Sequence, residues 1–346
     1  MSQSTTFKCP SCGAWLNFDP ETQGFLCPFC EQSFTEDELL RMSADRAPVD
    51  DDPAGTHVQS YRCQQCGAEL VTEDTTAATH CYFCHSPVVL TGQLTEEYYP
   101  QGIIPFAMEK DRALSAMQEH LARKKYLNRH ILAPKEQEQV YGVYYPYWMG
   151  ATRGEVSFKG EATKTTSTRG VNCTYYTTHY YRIRREATYH LRNIPCKGLS
   201  KADRLLSDGV HPYRMEGLKP FSTGYLSGFL AEKWDIPKID VLREMEKIGK
   251  NFAKGRIGEK SGYDTMSGTT DCHVQRTDAD FNLLPAWVLT FRNRENASKP
   301  FFFMMNGQTG QICGKLPVNW KKLSLHAAML GTAATGLLCL GGAFLW

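Results

Sequence analysis

Two cysteine units with the same internal spacing constrain this chain more than any other feature. Each unit has two CxxC pairs separated by fourteen residues: Cys9, Cys12, Cys27 and Cys30 in the first unit, and Cys63, Cys66, Cys81 and Cys84 in the second. The second unit repeats the first at an offset of 54 residues. A duplicated spacing of this kind is typical of metal-binding segments, so the sequence predicts two sites with four cysteine ligands each.

The ligand type indicates which metal these sites hold. Four thiolates that converge tetrahedrally suit Zn²⁺, and a shell filled by four cysteines leaves no open position for a substrate or water. We therefore predict two structural zinc sites, each of which folds a small hairpin with almost no core of its own. Iron in a rubredoxin-type centre is the alternative metal. No secretory signal precedes Cys9, which favours reduced thiols over disulfides.

The predicted fold class is two small β zinc ribbons followed by an α+β domain and a C-terminal transmembrane helix. Composition and patterning place five segments in this order: ribbon 1 at 1–35, an acidic linker at 36–60, ribbon 2 at 61–92, the α+β domain at 100–320 and the tail at 323–346. The spacing of apolar residues predicts helices over 111–125 and 237–253. It predicts strands over 139–149, 173–191, 286–292 and 300–305.

The last 24 residues contain no Asp, Glu, Lys or Arg. As a helix they would extend about 36 Å, which exceeds the roughly 30 Å hydrocarbon core of a bilayer. Lys315, Lys321 and Lys322 precede this segment. They predict a tail-anchored, single-pass protein of the cytoplasmic membrane, with its body on the cytoplasmic side. A buried core helix is the alternative.

Small residues recur in this tail at four-residue spacing, as at Ala327, Gly331 and Thr335. Such a face lets two helices approach closely, so the tail also predicts a homo-oligomer.

Charge is distributed unevenly, although the formal net charge is only +2. Residues 1–100 contain four Lys/Arg and fifteen Asp/Glu, whereas the rest contain 35 and 22. Nucleic-acid affinity depends on basic residues that contact phosphates. Four thiolates around each zinc add further negative charge, so we expect the ribbons to bind protein partners and not nucleic acid. The basic cluster Arg182, Arg184 and Arg185 fits either anionic lipid head groups or an ordinary solvated strand edge.

Signatures of catalysis are absent from the sequence. It contains no GxxxxGK[ST], GxSxG or HExxH pattern, so we predict that the chain is not an enzyme. Four of the five further cysteines, all outside the tail, share no metal spacing and are predicted to be buried, reduced thiols: Cys173, Cys196, Cys272 and Cys313.

Several short strings together resemble one protein family. They include Cys9-Pro-Ser-Cys12-Gly13-Ala14, Cys63…Cys66-Gly67-Ala68, Tyr144-Tyr145-Pro146-Tyr147-Trp148, Pro220-Phe221…Tyr225-Leu226-Ser227-Gly228 and Asn306-Gly307-Gln308-Thr309-Gly310. This combination resembles bacterial double zinc-ribbon membrane proteins, which are labelled transcription-factor-IIB-type zinc ribbon-containing proteins. The resemblance implies an anchor or recruiting factor for PspA-like and SPFH-like membrane-stress proteins. Glu31 and His85 depart from it, because a knuckle glycine is expected at both positions.

The sequence thus predicts a non-enzymatic, membrane-anchored scaffold or adaptor whose zinc ribbons recruit protein partners. One alternative is a zinc-ribbon protein that binds nucleic acid through its basic α+β domain. Another is an enzyme whose site is dispersed among the tyrosines and arginines of 140–192.

Overall fold

The computed structural model describes residues 7–43, 59–62, 69–72, 76–80, 87–89, 98–127, 137–291, 301–314 and 318–344. The strands are β1 (Asn17–Asp19), β2 (Gly24–Leu26), β3 (Ser33–Phe34), β4 (Gln59–Arg62), β5 (Glu69–Thr72), β6 (Thr76–His80), β7 (Pro87–Val89), β8 (Gly102–Ile103), β9 (Gln137–Arg169), β10 (Thr174–Lys197), β11 (Lys219–Pro220), β12 (Leu230–Glu232), β13 (Thr265–Phe291), β14 (Phe301–Asn306) and β15 (Ile312–Gly314). The helices are α1 (Glu36–Ser43), α2 (Lys110–Ala122), α3 (Arg204–Gly209), α4 (Lys238–Ile257) and α5 (Trp320–Phe344), with short 3₁₀ turns at Met215–Gly217 and Thr223–Leu226.

Three long strands form the centre of a ten-stranded mixed sheet. β9 pairs antiparallel with β10 on one side and with β13 on the other. These strands contain 33, 24 and 27 residues, whereas strands in globular domains average about 5–6. The shorter strands β8, β12 and β14 contact the long strands only at the ends of β9 and β13 that lie in the body of the sheet. The long strands therefore continue outward from the body as a ribbon.

The predicted fold class is wrong. In place of an α+β domain with a transmembrane helix, the described chain is mostly β-sheet with few helices. The helices expected at 111–125 and 237–253 do form, as α2 and α4, and the strands expected at 139–149 and 173–191 are parts of β9 and β10. The lengths were missed because the outer parts of the long strands are exposed on both faces and lack the buried alternation on which strand prediction depends.

Helix α4 covers one face of the ribbon. Its buried residues recur every four positions along one stripe: Val241, Met245, Gly249, Ala253 and Ile257. This stripe packs on apolar side chains of β9 and β10 that include Phe158 and Ile183. Gly249 permits the close approach, since a Cβ added there would lie 2.5 Å from Cγ2 of Thr152.

Aromatic side chains fill the core at the inner end of the ribbon. The ring of Phe106 stacks on Phe229 with 4.2 Å between centroids, and it contacts Tyr144 and Trp287 at 5.0 Å. The Trp287 Nε1–H donates a hydrogen bond to the Met108 carbonyl at 3.1 Å, so the polar edge of this indole is satisfied. Phe229 lies three residues after the 3₁₀ turn Thr223–Leu226, so these contacts place that turn beside the core.

The C-terminal helix α5 forms, but the prediction that it crosses a membrane is wrong. Among the residues that the structure describes, no helix is long and apolar enough to span a membrane. Ser324, His326 and Thr332 interrupt the apolar side chains, which shortens the continuous apolar stretch. The predicted tail anchor at 323–346 and the predicted location in the cytoplasmic membrane are therefore withdrawn.

Helix α5 touches the body near its beginning. The rings of Tyr126 and His326 meet edge to face at 5.6 Å, and the Asn319 N–H donates to the Tyr126 carbonyl at 2.8 Å. Ala327, Gly331 and Thr335 are exposed, so pairing of two such helices stays a prediction.

Candidate metal centre

The first cysteine unit is built from two matching turns. Lys8 pairs with Trp15 across the first turn, and Leu26 pairs with Ser33 across the second. In each turn the first cysteine donates its N–H to the carbonyl five residues ahead: Cys9 to Ala14 at 2.7 Å, and Cys27 to Gln32 at 2.9 Å. Each CxxC pair is therefore held by backbone hydrogen bonds in the same local geometry.

The residue that follows each second cysteine has a left-handed backbone. Gly13 has φ +76°, and Glu31, where a glycine was expected, has φ +58°. The N–H of each donates back to the carbonyl of the first cysteine, at 2.9 Å for Gly13 and 3.0 Å for Glu31. The sequence departure at Glu31 thus leaves the turn geometry intact, although a side chain with a Cβ is strained in this region.

The two turns bring four thiol sulfurs together. The Sγ atoms of Cys9, Cys12, Cys27 and Cys30 all lie within 4.8 Å of one another. The Cys9–Cys30 and Cys12–Cys27 pairs are 3.5 Å apart, and the Cys12–Cys30 pair is 3.7 Å apart. Four sulfurs at about 2.3 Å from a tetrahedral Zn²⁺ lie about 3.8 Å from one another. The cluster therefore has the size and the donor set of a four-thiolate metal site.

Backbone N–H groups point at the sulfurs and make their pKa values diverge. Burial raises the pKa of Cys27, but N–H groups of Cys30 and Phe29 and the Cys30 thiol outweigh it and lower this pKa to about 6. At Cys30 the Gln32 N–H acts to lower the pKa, but burial and the neighbouring thiols raise it to about 12. A bound cation would remove this divergence of the pKa values, because metal ligation deprotonates coordinating thiols.

The first unit packs directly on the body of the protein. Phe18 and Phe25 are buried, and both rings approach Tyr225, with centroids 5.1 and 6.2 Å from it. Gly224 allows the first unit to pack this closely, because a Cβ at position 224 would lie 2.5 Å from the ring of Phe7. Burial of each phenylalanine contributes about 1.5–3 kcal/mol. The core of this hairpin is therefore shared with the large sheet.

Hydrogen bonds fix the orientation of the unit on the body. The Phe18 N–H donates to the Ser227 carbonyl at 3.1 Å, and Gln23 Nε2 donates to the Phe106 carbonyl at 2.8 Å. The Tyr225 hydroxyl donates to a Glu36 carboxylate oxygen at 2.6 Å, which connects the body to the start of α1. The four thiols are thus held in a fixed position relative to the sheet.

Sequence reasoning missed this docking contact. Tyr225 and Gly224 lie about two hundred residues from the cysteines, and no local pattern connects them to the first unit. Tyr225 belongs to the string Pro220-Phe221…Tyr225-Leu226-Ser227-Gly228, but that string indicates a family resemblance and not a contact with the cysteines.

The four cysteines of the second unit lie outside the described residues, but the residues that flank them are described. Arg62 pairs with Glu69 in β4–β5, and His80 pairs with Pro87 in β6–β7. In both pairs the two partners are seven residues apart, and the first partner immediately precedes the first cysteine of a CxxC pair. The pairs Lys8–Trp15 and Leu26–Ser33 have the same spacing and the same position. In the sequence, all four CxxC pairs therefore have the same spacing from the two residues that pair around them. β6 also pairs with β12, which joins this region to the large sheet.

The remaining cysteines form no metal cluster among the described residues. Cys196 is buried as predicted, whereas Cys173 is exposed, because it lies in the turn between β9 and β10. Cys272 and Cys313 are partly exposed, so the prediction of burial is wrong for them as well.

One small cleft contains Cys196, His211, Arg204, Asp208 and Glu244. Burial raises the pKa of Cys196 to about 12 and lowers the pKa of His211 to about 4. Arg204 forms ion pairs with both carboxylates of the cleft, at 3.3 Å from Asp208 and 3.1 Å from Glu244. A thiol with this pKa is a poor nucleophile near neutral pH, so the cleft lacks the features of an activated cysteine site.

Comparison with known proteins gives one relative of similar length. The chain is 29% identical over 321 residues to Uncharacterized protein YdjG of Bacillus subtilis (strain 168), and the match covers 92% of each chain. The similarity is thus to nearly the whole chain and is not confined to the cysteine units. No family model and no solved structure matches.

Proposed function

We propose that this protein is a non-enzymatic scaffold or adaptor that recruits protein partners through its N-terminal metal-binding unit. The observation that carries the proposal is the position of Phe29 between Cys27 and Cys30. Its side chain is 77% exposed on a turn that a metal would hold rigid, and Leu26 beside it is 40% exposed. An exposed aromatic side chain on a rigid turn is a suitable anchor for a protein interface.

Zinc is the metal proposed for the first site. Four soft thiolates fill a tetrahedral shell, which fits a structural Zn²⁺ and leaves no ligand position for chemistry. The same shell accepts iron, and metal analysis of the purified chain distinguishes the two ions. A second zinc at Cys63, Cys66, Cys81 and Cys84 is proposed from the common spacing and from the equivalent pairing of the flanking residues.

Acidic residues outnumber basic ones in the first unit and favour a partner with basic residues. Asp19, Glu21, Glu31 and Asp37 belong to this part of the chain, and the basic residues among 7–43 are Lys8 and Arg41. Complementary charge at the rim of an interface gives specificity and speeds association. Candidate partners, from the family resemblance, are PspA-like and SPFH-like proteins.

The experiment is a pull-down with the full chain as bait, using Phe29→Ser as the test variant. Val171→Ser is the matched control, because Val171 is fully exposed in the turn between β9 and β10. We expect Phe29→Ser to retain its metal and its melting temperature and to lose the partner, while Val171→Ser retains all three. The proposal fails if wild type captures no stoichiometric partner, or if Phe29→Ser captures it as well as wild type does.

A further inference from the structure

The outer end of the long ribbon is a two-stranded arm with an unusual composition. We define the hairpin arm as residues 162–185, where β9 and β10 pair and turn back at residues 170–173. β13 accompanies the arm only at its base, since its first residue, Thr265, pairs with Thr163. Most of the arm is therefore a hairpin that is free on both faces and both edges among the described residues.

Basic residues outnumber acidic ones in and around the arm. Residues 162–185 contain Lys164, Arg169, Arg182, Arg184 and Arg185 and no Asp or Glu. Two carboxylates lie against the base of the arm, because Glu161 is directly opposite Arg182 and Asp264 accepts a hydrogen bond from the Thr165 N–H. Arg184 pairs with Glu186, and Arg185 donates to the Ile257 and Glu259 carbonyls at 2.9 and 2.6 Å. Lys164, Arg169 and Arg182 form no ion pair within the described part of the chain. They are available to an anionic partner.

Aromatic rings accompany these cations on both faces of the hairpin. Arg169 pairs with Thr174 and shares a face with Tyr176 and Tyr180, whereas Lys164 pairs with His179 and shares the other face with Tyr175 and Tyr181. Tyr175, Tyr176, Tyr180 and Tyr181 are 63%, 73%, 82% and 40% exposed. Because side chains alternate along a strand, Tyr176 and Tyr180 share one face and are about 13 Å apart at roughly 3.3 Å per residue. The remaining surface is largely hydroxyl groups, and the hydroxyls of Thr165 and Thr178 contact each other across the strands at 3.0 Å.

The arm lies far from the acidic N-terminal unit. Tyr144 in β9 pairs near the body, and Arg169 at the tip is 25 residues further along the same strand. At about 3.3 Å per residue this is roughly 80 Å, many times the Debye length of about 8 Å at physiological ionic strength. The negative charge of the first unit therefore does not weaken anion binding at the tip.

We propose that the hairpin arm binds single-stranded nucleic acid. Arg169 and Arg182 would contact phosphates on the face that carries Tyr176 and Tyr180, hydroxyl groups of the arm would add hydrogen bonds to the nucleic-acid backbone, and these two tyrosines would stack on unpaired bases. A lipid surface fits less well, because threonine and serine cover the arm between its rings. A protein strand added to an edge would use backbone groups and require neither the tyrosines nor the unpaired cations.

The test measures binding of the full chain to a fluorescent single-stranded oligonucleotide by anisotropy over a salt series. Wild type is expected to bind single-stranded DNA or RNA more tightly than duplex DNA, with an affinity that falls steeply with salt. The double variant Arg169→Gln/Arg182→Gln removes both cations from the face of Tyr176 and Tyr180. It should weaken binding roughly tenfold at 0.1 M salt and reduce the slope of log K against log salt by about 1.4, at about 0.7 for each charge.

A second variant tests stacking separately from charge. Tyr176→Ser/Tyr180→Ser should weaken binding about tenfold or more while leaving the salt slope unchanged. The matched control is Arg153→Gln/Arg192→Gln, which removes two exposed charges from the same strands outside the arm and should bind like wild type. All three double variants replace exposed strand residues, and equal melting temperatures verify their folding.

Four results would overturn the proposal. They are no binding at 0.05 M salt, tighter binding to duplex than to single strands, equal weakening by the arm and control variants, and binding to anionic phosphatidylserine vesicles without binding to oligonucleotides. If the chain bound neither oligonucleotides nor vesicles, the cations and hydroxyl groups of the arm would serve to keep a long exposed edge soluble.

Discussion

Gly13 and Glu31 occupy equivalent positions in the two turns of the first cysteine unit, and both have a left-handed backbone, with φ +76° and +58°. Only glycine adopts this conformation without strain, which for other residues is about 1–2 kcal/mol. We therefore predict that Glu31→Gly raises the free energy of unfolding of the metal-loaded chain by about 1 kcal/mol. Denaturant titration measures this difference.

The reciprocal change at Gly13 is the control. A Cβ added at Gly13 meets nothing within 4 Å, so Gly13→Ala reports backbone strain without a steric clash. It should lower the free energy of unfolding by about 1 kcal/mol. If Glu31→Gly and Gly13→Ala shift stability in the same direction, strain at these two positions is not the cause.

Two glycines of helix α4 should respond to alanine with opposite signs. Gly255 is exposed, and a Cβ there meets nothing within 4 Å, so Gly255→Ala should stabilise the chain by about 0.5–1 kcal/mol through helix propensity. Gly249 is buried, and its Cβ would lie 2.5 Å from Thr152, so Gly249→Ala should destabilise it by about 1–3 kcal/mol. Paired thermal melts measure both. A stabilising Gly249→Ala would contradict the packing of α4 on β9.

Loss of one thiol should remove the first metal. Cys27 is fully buried in the cluster, and Cys27→Ser is expected to reduce the bound metal by one equivalent per chain and to lower the melting temperature. Cys173→Ser, at an exposed cysteine outside the cluster, should leave both unchanged. Elemental analysis with calorimetry makes the comparison. Unchanged metal content in Cys27→Ser would exclude the proposed ligand set.

The hydrogen bond between Tyr225 and Glu36 should contribute measurably to docking of the first unit. Burial and the neighbouring Glu36 raise the pKa of Tyr225 above its usual value, so the hydroxyl stays a donor near neutral pH. Tyr225→Phe should cost about 1–2 kcal/mol, because the bond involves a charged acceptor. Tyr176→Phe, at an exposed tyrosine, should cost nothing measurable. Chemical denaturation that finds the two variants equal would show that the bond adds no net stability.

Stability should depend on pH through His211. Burial lowers the pKa of His211 to about 4, so between this value and about 6.5 the unfolded chain binds a proton that the folded chain does not. Stability is therefore expected to fall as pH decreases from 6.5 to 4. The effect of a fully realised shift would be about 3 kcal/mol.

His211→Phe separates this effect from acid release of the metal. The variant keeps a ring against Tyr147 and Tyr213 and removes Nε2, a buried nitrogen without a hydrogen-bond partner among the described residues. It should match or exceed wild-type stability at pH 7.5, and the advantage should grow at pH 5. An identical pH dependence in both chains would assign the acid sensitivity to other groups.

The sequence by itself determined which four cysteines of the first unit cluster, and it determined several local elements. The spacing of the cysteines is a local property, because a CxxC turn and its hydrogen bonds span fewer than ten residues, and the structure brings Cys9, Cys12, Cys27 and Cys30 together as that spacing predicts. The periodicity that predicted α2 and α4 is local in the same sense. Residue patterns were sufficient to predict features that depend only on neighbours within a few turns of chain.

Tertiary structure alone decided the extent of the long strands and the docking of the first unit. β13 pairs with β9 across more than a hundred residues of sequence, whereas β9 and β10 form a hairpin whose exposed outer part carries no buried periodicity that would reveal it. The docking of Phe18 and Phe25 on Tyr225 likewise joins segments about two hundred residues apart. The apolar composition of the tail did not establish a membrane span. The strand pairing and the docking depend on contacts between segments that are far apart in sequence, and the packing of the whole chain determines which of these segments meet.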